Sequence, residues 1–170
     1  MDLKTFIRDV PNFPIEGVIF KDITPLLCDP AAFDHAVASL EAYCRTRRPD
    51  VVVAIEARGY ILAAPLALRL GAAFVPARKP GKLPWKTIRE EYQLEYGVAA
   101  LEMHEDAIAP GQRVVIVDDV IATGGTLRAT RRLVERLGGE VVGMACLVEL
   151  AFLNGRQALD GVELHAVLTY

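Results

Sequence analysis

No apolar run in these 170 residues approaches the roughly 18 needed to span a bilayer. The opening MDLKTFIRDV alternates charge with apolar residues where a signal peptide would carry its hydrophobic region. Cysteine is scarce: Cys28, Cys44 and Cys146 form an odd set with no CxxC spacing. That excludes a disulfide framework or a zinc ribbon and reads as reduced thiols in a cytoplasmic protein. A strong charge of either sign is also lacking. The net charge of −3 gives no general affinity for nucleic acid or an anionic membrane, so any anionic ligand must be held by local positive groups. His35, His104 and His165 are scattered without partner spacing, and none is assigned to catalysis. There is no G-x-x-x-x-G-K-[ST] and no strand-linked G-x-G-x-x-G, which removes the P-loop and dinucleotide classes. Repeats and low-complexity tracts are absent as well.

What is present suits a globular α/β protein. With 52% apolar and 24% charged residues, the chain can bury a core as one domain over 1–170. VVVAI (51–55) reads as a strand buried on both faces. GYILAAPLALRLG follows as an apolar helix bent at Pro65 and closed by Gly71. AAFVPA is a second strand and RVVIVDD a third. GGTLRATRRLVERLGG makes an amphipathic helix with Leu127, Leu133, Val134 and Leu137 inward. EVVGMACLVEL and VELHAVLTY supply the last strands. Alternating strands and helices predict a mostly parallel central sheet flanked by helices. Ligands in such sheets sit beyond the carboxyl ends of the strands, which places 56–59 and 118–126 at one mouth. Two regions stand apart: a turn-rich N-terminal flap over about 1–28, and a polar connection over about 78–97. A connection of that length inside a compact domain is usually functional.

The densest chemistry lies in VVIVDDVIATGGT (114–126). An apolar strand has no use for adjacent carboxylates, yet it ends in Asp118 and Asp119. Carboxylates there can accept hydrogen bonds from vicinal hydroxyls or help hold Mg²⁺ through water. Ala122, Thr123, Gly124, Gly125 and Thr126 then precede a helix, whose first backbone N–H groups make an anion seat. Hydroxyl acceptors beside a phosphate seat match a ribose 5-phosphate. EARG (56–59) also follows a strand and opens a helix, so backbone amides and Arg58 can converge on an anion; the alternative is an Arg58–Glu56 surface pair. Phe20, between Ile19 and Lys21, reads on its residues alone as part of a docking strand with its ring in the core. Arg78, Lys79, Lys82, Lys86 and Arg89 supply the local positive charge that the overall balance lacks, with Lys86 and Arg89 on a solvated face.

VVIVDDVIATGGT resembles the phosphoribosyl-diphosphate signature of the type I phosphoribosyltransferase family. FPIEGVIFKDITPLL, EARG, and RKPGKLP followed by YQLEYG point within that family to its adenine-using branch, and LVEL fits it too. These motifs stand in order across nearly the whole chain. The resemblance implies the family fold, with a small N-terminal hood and a flexible catalytic loop. It implies Mg²⁺-dependent transfer of ribose 5-phosphate from 5-phosphoribosyl 1-diphosphate to adenine, giving AMP and pyrophosphate in purine salvage, by a homodimer. Asp118 and Asp119 would take the ribose hydroxyls, and 122–126 the phosphate. Ala57 and Arg58 would form the pyrophosphate loop, with a strained peptide between them. Arg78, Lys79 and Lys82 would contact the diphosphate. Phe20 would stack on the purine while the backbone of Ile19 and Lys21 reads its edge, a polar match worth a factor of about 10⁴ in specificity. Glu95 would handle the purine proton and Tyr96 would close the loop. Mg²⁺ would be held mainly by the diphosphate and water, with Asp118 or Asp119 as the chain's contribution. The sole tryptophan, Trp85, stands after GKLP where the family carries a small or polar residue. Rivals are a guanine or xanthine phosphoribosyltransferase and a non-catalytic phosphoribosyl-diphosphate sensor. A sensor calls for an added helix-turn-helix or basic face, and neither is apparent.

Overall fold

A computed structural model describes residues 1–93 and 97–170. The chain divides into two compact units, Met1–Ser39 and Leu40–Tyr170. In the first, β1 (Arg8–Pro11) and β2 (Ile19–Asp22) pair antiparallel, with Arg8 opposite Asp22 and Asp9 opposite Lys21. Both facing pairs are ionic, at 2.7 and 2.6 Å, so charge complementarity supports the register. A short helix α1 (Thr24–Cys28) follows, and α2 (Pro30–Arg47) begins in this unit. Asp29 caps α2 by accepting from the amides of Ala31 and Ala32 at 3.0 and 2.8 Å, with proline at the first helical position.

The second unit is built on five parallel strands in the order β4 (Ala73–Ala77), β3 (Val51–Ile55), β7 (Arg113–Ile121), β8 (Glu140–Glu149) and β9 (Leu164–Thr169). All five residues of β3 are buried, as expected for a parallel strand covered on both faces. Val51, Val53 and Ile55 share one cluster with Leu127, Leu133 and Val134 of α4 (Gly125–Arg136). Val52 and Ala54, which alternate with them, are equally buried, and α3 (Arg58–Leu70) packs against β3 and β7. Each such valine or isoleucine contributes about 1.5–3 kcal/mol relative to exposure. Gly71 ends α3 in the left-handed conformation, with φ +67.

Three expectations need correction. The connection placed at 78–97 is shorter, because β5 (Thr87–Gln93) pairs antiparallel with β6 (Val98–His104) as a hairpin. Its inward residues, Ile88 and Tyr92, alternate with charged neighbours, and the density of charge conceals the strand period. The β7 strand does not end at the aspartates but continues to Ile121. Phe20 is not a core residue: it is half-buried in the first unit, edge-on to Phe13 at 5.2 Å between ring centroids.

Beyond β8 the chain turns through a 3-10 helix, Gly155–Leu159. Arg156 from this turn grips Glu149 at the end of β8 with two bonds of 2.7 Å and donates to the Leu164 carbonyl of β9 at 2.6 Å. The Arg156 hydrogen bonds, outweighing burial, hold the Glu149 carboxyl below its ordinary 4.5. A lowered carboxyl pKa stabilises the fold above the ordinary value, and that stability is lost as pH falls through the lowered one. Arg156→Met is expected to destabilise the protein by about 1–2 kcal/mol at neutral pH, allowing for the exposure of Arg156. Denaturant unfolding at neutral and acid pH checks this, with the deficit shrinking in acid.

Candidate active site

The order of strands locates a crevice. From β3 the chain crosses through α3 to β4 on one side; from β7 it crosses through α4 to β8 on the other. The carboxyl ends of β3 and β7 therefore flank a topological switch point, the place where open α/β sheets leave a ligand cleft. Glu56, Ala57, Arg58 and Gly59 follow β3, and Asp118 to Thr126 complete β7 and its turn. A Cβ on Gly59 would stand 3.0 Å from Asp118 Oδ1 and 3.2 Å from the Val117 carbonyl. Glycine there lets the first turn of α3 lie directly on the aspartate.

Arg58 Nε meets Asp119 Oδ2 at 2.6 Å, so the alternative of an Arg58–Glu56 pair is overturned. Glu56 serves the neighbouring segment. One of its oxygens accepts from the Lys79 amide at 2.5 Å and the other from the Arg78 guanidinium at 3.2 Å. Burial raises the Glu56 pKa, but the Lys79 amide and Arg78 together outweigh it and hold the carboxyl below its usual value. Arg78 also donates to the Lys82 carbonyl at 3.0 Å. The non-proline cis peptide joins Glu56 to Ala57, one bond before the Ala57–Arg58 peptide that the resemblance implies.

A cavity of about 250 Å³ is lined by Glu56, Ala57, Arg58, Lys79, Tyr92, Asp118, Asp119 and Thr126, among others. A second, of about 80 Å³, is lined by Asp118, Val120, Ala122, Thr123, Gly124 and Thr126 with their neighbours. The two share Asp118, Val120 and Thr126 and so adjoin. No side chain caps α4 and no acid lies in its first turn, which leaves its leading N–H groups for an anion. Gly124 has φ +82, and a Cβ there would fall 2.3 Å from the Gly155 carbonyl. A Cβ on Gly155 would in turn fall 2.3 Å from the Ala122 carbonyl. Backbone packed on backbone thus sets the shape of the turn.

The two carboxyls differ in their partners. Asp118 is buried, and its pKa is raised well above the ordinary 3.8, by burial first and then by the Asp119 charge. Its Oδ1 accepts from the Asp119 amide at 2.9 Å. Asp119, equally buried, faces Arg58. Among the described residues no group of three or more His, Cys, Asp or Glu could hold a metal ion. Glu56, Asp118 and Asp119, which line the larger cavity, offer carboxylate oxygens of the kind Mg²⁺ takes.

Other predicted residues are placed separately. Lys82 and Trp85 are exposed, and neither Arg78 nor Lys82 lines the larger cavity. Glu95 and Tyr96 lie outside the described residues. In the first unit, Phe20 lines a cavity of about 190 Å³ with Val10, Phe13 and Asp22. Ile19 is exposed, and Lys21 bonds Asp9. The β2 strand pairs only with β1, leaving one edge of its backbone without a strand partner among the described residues. Sequence reasoning missed Tyr92, Gly155 and the tether made by Glu56. The first two carried only a strand and a turn signal, and the third depends on which strands are neighbours.

The family described as phosphoribosyl transferase domain matches residues 26–160. A protein of Thermotoga neapolitana named adenine phosphoribosyltransferase is 57% identical over 170 residues, all of both chains. The chain belongs to the adenine phosphoribosyltransferase family. A solved adenine phosphoribosyltransferase from Thermoanaerobacter pseudethanolicus is 51% identical with a TM-score of 0.97, covering 99% of this chain and 98% of that one. The Saccharomyces cerevisiae adenine phosphoribosyltransferase is 36% identical with a TM-score of 0.93, covering 98% and 96%, and was solved with an imino-altritol bisphosphate and adenine.

In this phosphoribosyltransferase, burial of Asp118 has a measurable cost. A carboxyl with a raised folded pKa binds its proton more tightly when folded, so stability falls as pH climbs above the ordinary 3.8. Asp118→Asn is expected to raise the melting temperature at neutral pH while lowering turnover, with the gain vanishing in strong acid. Calorimetry across pH checks it.

Proposed function

We propose that this chain transfers the 5-phosphoribosyl group from 5-phosphoribosyl 1-diphosphate to adenine, forming AMP and pyrophosphate. It is a pentosyl-class glycosyltransferase of purine salvage. The observation that carries the reading is the adjoining pair of cavities at the β3–β7 crevice, with carboxylates in one and unclaimed helix amides in the other. Adenine as the base is supported by full-length relatives named for it and by the adenine bound to the yeast relative.

The reaction breaks the bond from ribose C1 to pyrophosphate and forms one from C1 to adenine N9. Positive charge develops on the sugar and negative charge on the leaving diphosphate. Arg58 and Lys79 line the larger cavity and stabilise the diphosphate, with Glu56 and Arg78 fixing the segment that carries Lys79. Asp118 and Asp119 hold the ribose hydroxyls beside the developing cation. The turn at 122–126 anchors the phosphate, which is remote from the breaking bond, so its binding energy goes into positioning. Phe20 stacks on the planar base, and the backbone of Ile19 and Lys21 reads its edge. Glu95 manages the purine proton and Tyr96 closes over it. Asp118 or Asp119 would help hold Mg²⁺, which would supply charge neutralisation for the leaving diphosphate.

Three free thiols, one of them exposed, suit the reducing cytoplasm. Ile61 and Leu68 on α3 and Phe74 on β4 leave exposed apolar surface, which supports a homodimer. Leu68→Asp is expected to shift sedimentation from dimer to monomer; a wild-type monomer would overturn the homodimer.

The decisive assay supplies phosphoribosyl diphosphate, Mg²⁺ and each purine base separately. AMP from adenine alone is expected, whereas nucleotide from guanine or xanthine instead would reassign the base. Arg58→Ala is expected to lower turnover about 10²–10³-fold, as loss of a charge-stabilising donor does, and to lower the melting temperature as well, because Asp119 is left buried without its partner.

A further inference from the structure

The β5–β6 hairpin is bound to α4 by a fork that the reaction as described does not use. On β5, Ile88, Glu90 and Tyr92 share one face, since alternate residues of a strand point the same way. Ile88 and Tyr92 pack against the core cluster. Glu90, between them, is a carboxylate only 17% exposed. Arg132 and Arg136, four apart and so on one side of α4, reach it at 3.1 and 3.3 Å. Arg136 also donates to the Arg89 carbonyl at 2.6 Å. These bonds fix where β5 lies along the helix axis.

That register has a consequence two residues further on. Tyr92 meets the first residue of α4: a Cβ on Gly125 would stand 3.3 Å from its ring. Tyr92 also walls the 250 Å³ cavity with Arg58, Lys79, Asp118 and Thr126. Its hydroxyl makes no hydrogen bond with any described residue. A half-buried phenol beside an anion seat, held in place and unspent, is a donor awaiting an acceptor.

We propose that the Tyr92 hydroxyl donates to a phosphoryl oxygen of phosphoribosyl diphosphate, and that Glu90 is the positioning residue that holds Tyr92 there through Arg132 and Arg136. The assignment rests on the phosphoribosyl-transfer reading.

Steady-state kinetics of the full chain test it with Tyr92→Phe, Glu90→Leu and the double variant. Leucine keeps the inward face of β5 apolar while releasing the fork; Glu90→Gln replaces it if that variant does not fold. Tyr92→Phe is expected to raise KM for phosphoribosyl diphosphate about tenfold, the loss of one hydrogen bond to a charged oxygen, and to leave KM for adenine unchanged. Glu90→Leu is expected to raise the same KM, with the double variant no worse than Tyr92→Phe. A wild-type KM in Tyr92→Phe overturns the hydroxyl contact. Additive effects, or a lowered melting temperature with an unchanged KM in Glu90→Leu, overturn the positioning role. If the wild type forms no AMP, the transfer reading fails instead. Calorimetric titration with phosphoribosyl diphosphate then decides the contact by itself, with weaker binding to Tyr92→Phe expected and equal binding contradicting it.

Discussion

Two adjacent carboxylates buried in the central strand of a parallel sheet are the constraint around which the second unit is arranged. Asp118 and Asp119 repel each other and lose hydration, and each is answered differently: Asp118 by a raised pKa and a bond from the next amide, Asp119 by Arg58. That answer needs the first turn of α3 close to β7, which in turn needs Gly59 to lack a side chain. It also engages the residue that heads the loop after β3, so the two sides of the crevice are joined by one ion pair. A fold selected for stability alone would put valines there. The departure from the apolar pattern is what marks the site.

Around that pair the structure holds its ligand-facing groups mostly through backbone. Gly124 and Gly155 bring two main chains into contact, which fixes the turn before α4 without spending a side chain on it. Glu56 holds the Lys79 amide, and Glu90 holds β5 against α4. Glu56 and Glu90 thus act as tethers between segments distant in sequence. This explains how a chain of net charge −3 presents Arg58 and Lys79 at one cavity.

Much of this was legible in the chain. The β3 and β7 strands were read from short β-branched runs, α4 from its apolar stripe, and the crevice from the rule for parallel sheets. The hairpin β5–β6 was not, because Arg89, Glu90 and Glu91 between Ile88 and Tyr92 swamp the alternation that identifies a strand. Partner choice was also hidden. Whether Arg58 meets Glu56 or Asp119 depends on β3 and β7 being neighbours, and that adjacency is a property of topology rather than of local pattern. Phe20 was ambiguous for a further reason. An aromatic lining a cavity and one filling a core have the same sequence signature, and only the open space beside Phe13 separates them.

The central claim is that one ligand bridges the aspartate pair and the turn before α4. A crystal structure with phosphoribosyl diphosphate and Mg²⁺ tests it most directly. The 5-phosphate is expected on the backbone amides of 123–126, with both ribose hydroxyls within hydrogen-bonding distance of Asp118 and Asp119. A phosphate bound elsewhere, with the aspartates touching no part of the sugar, would contradict the account.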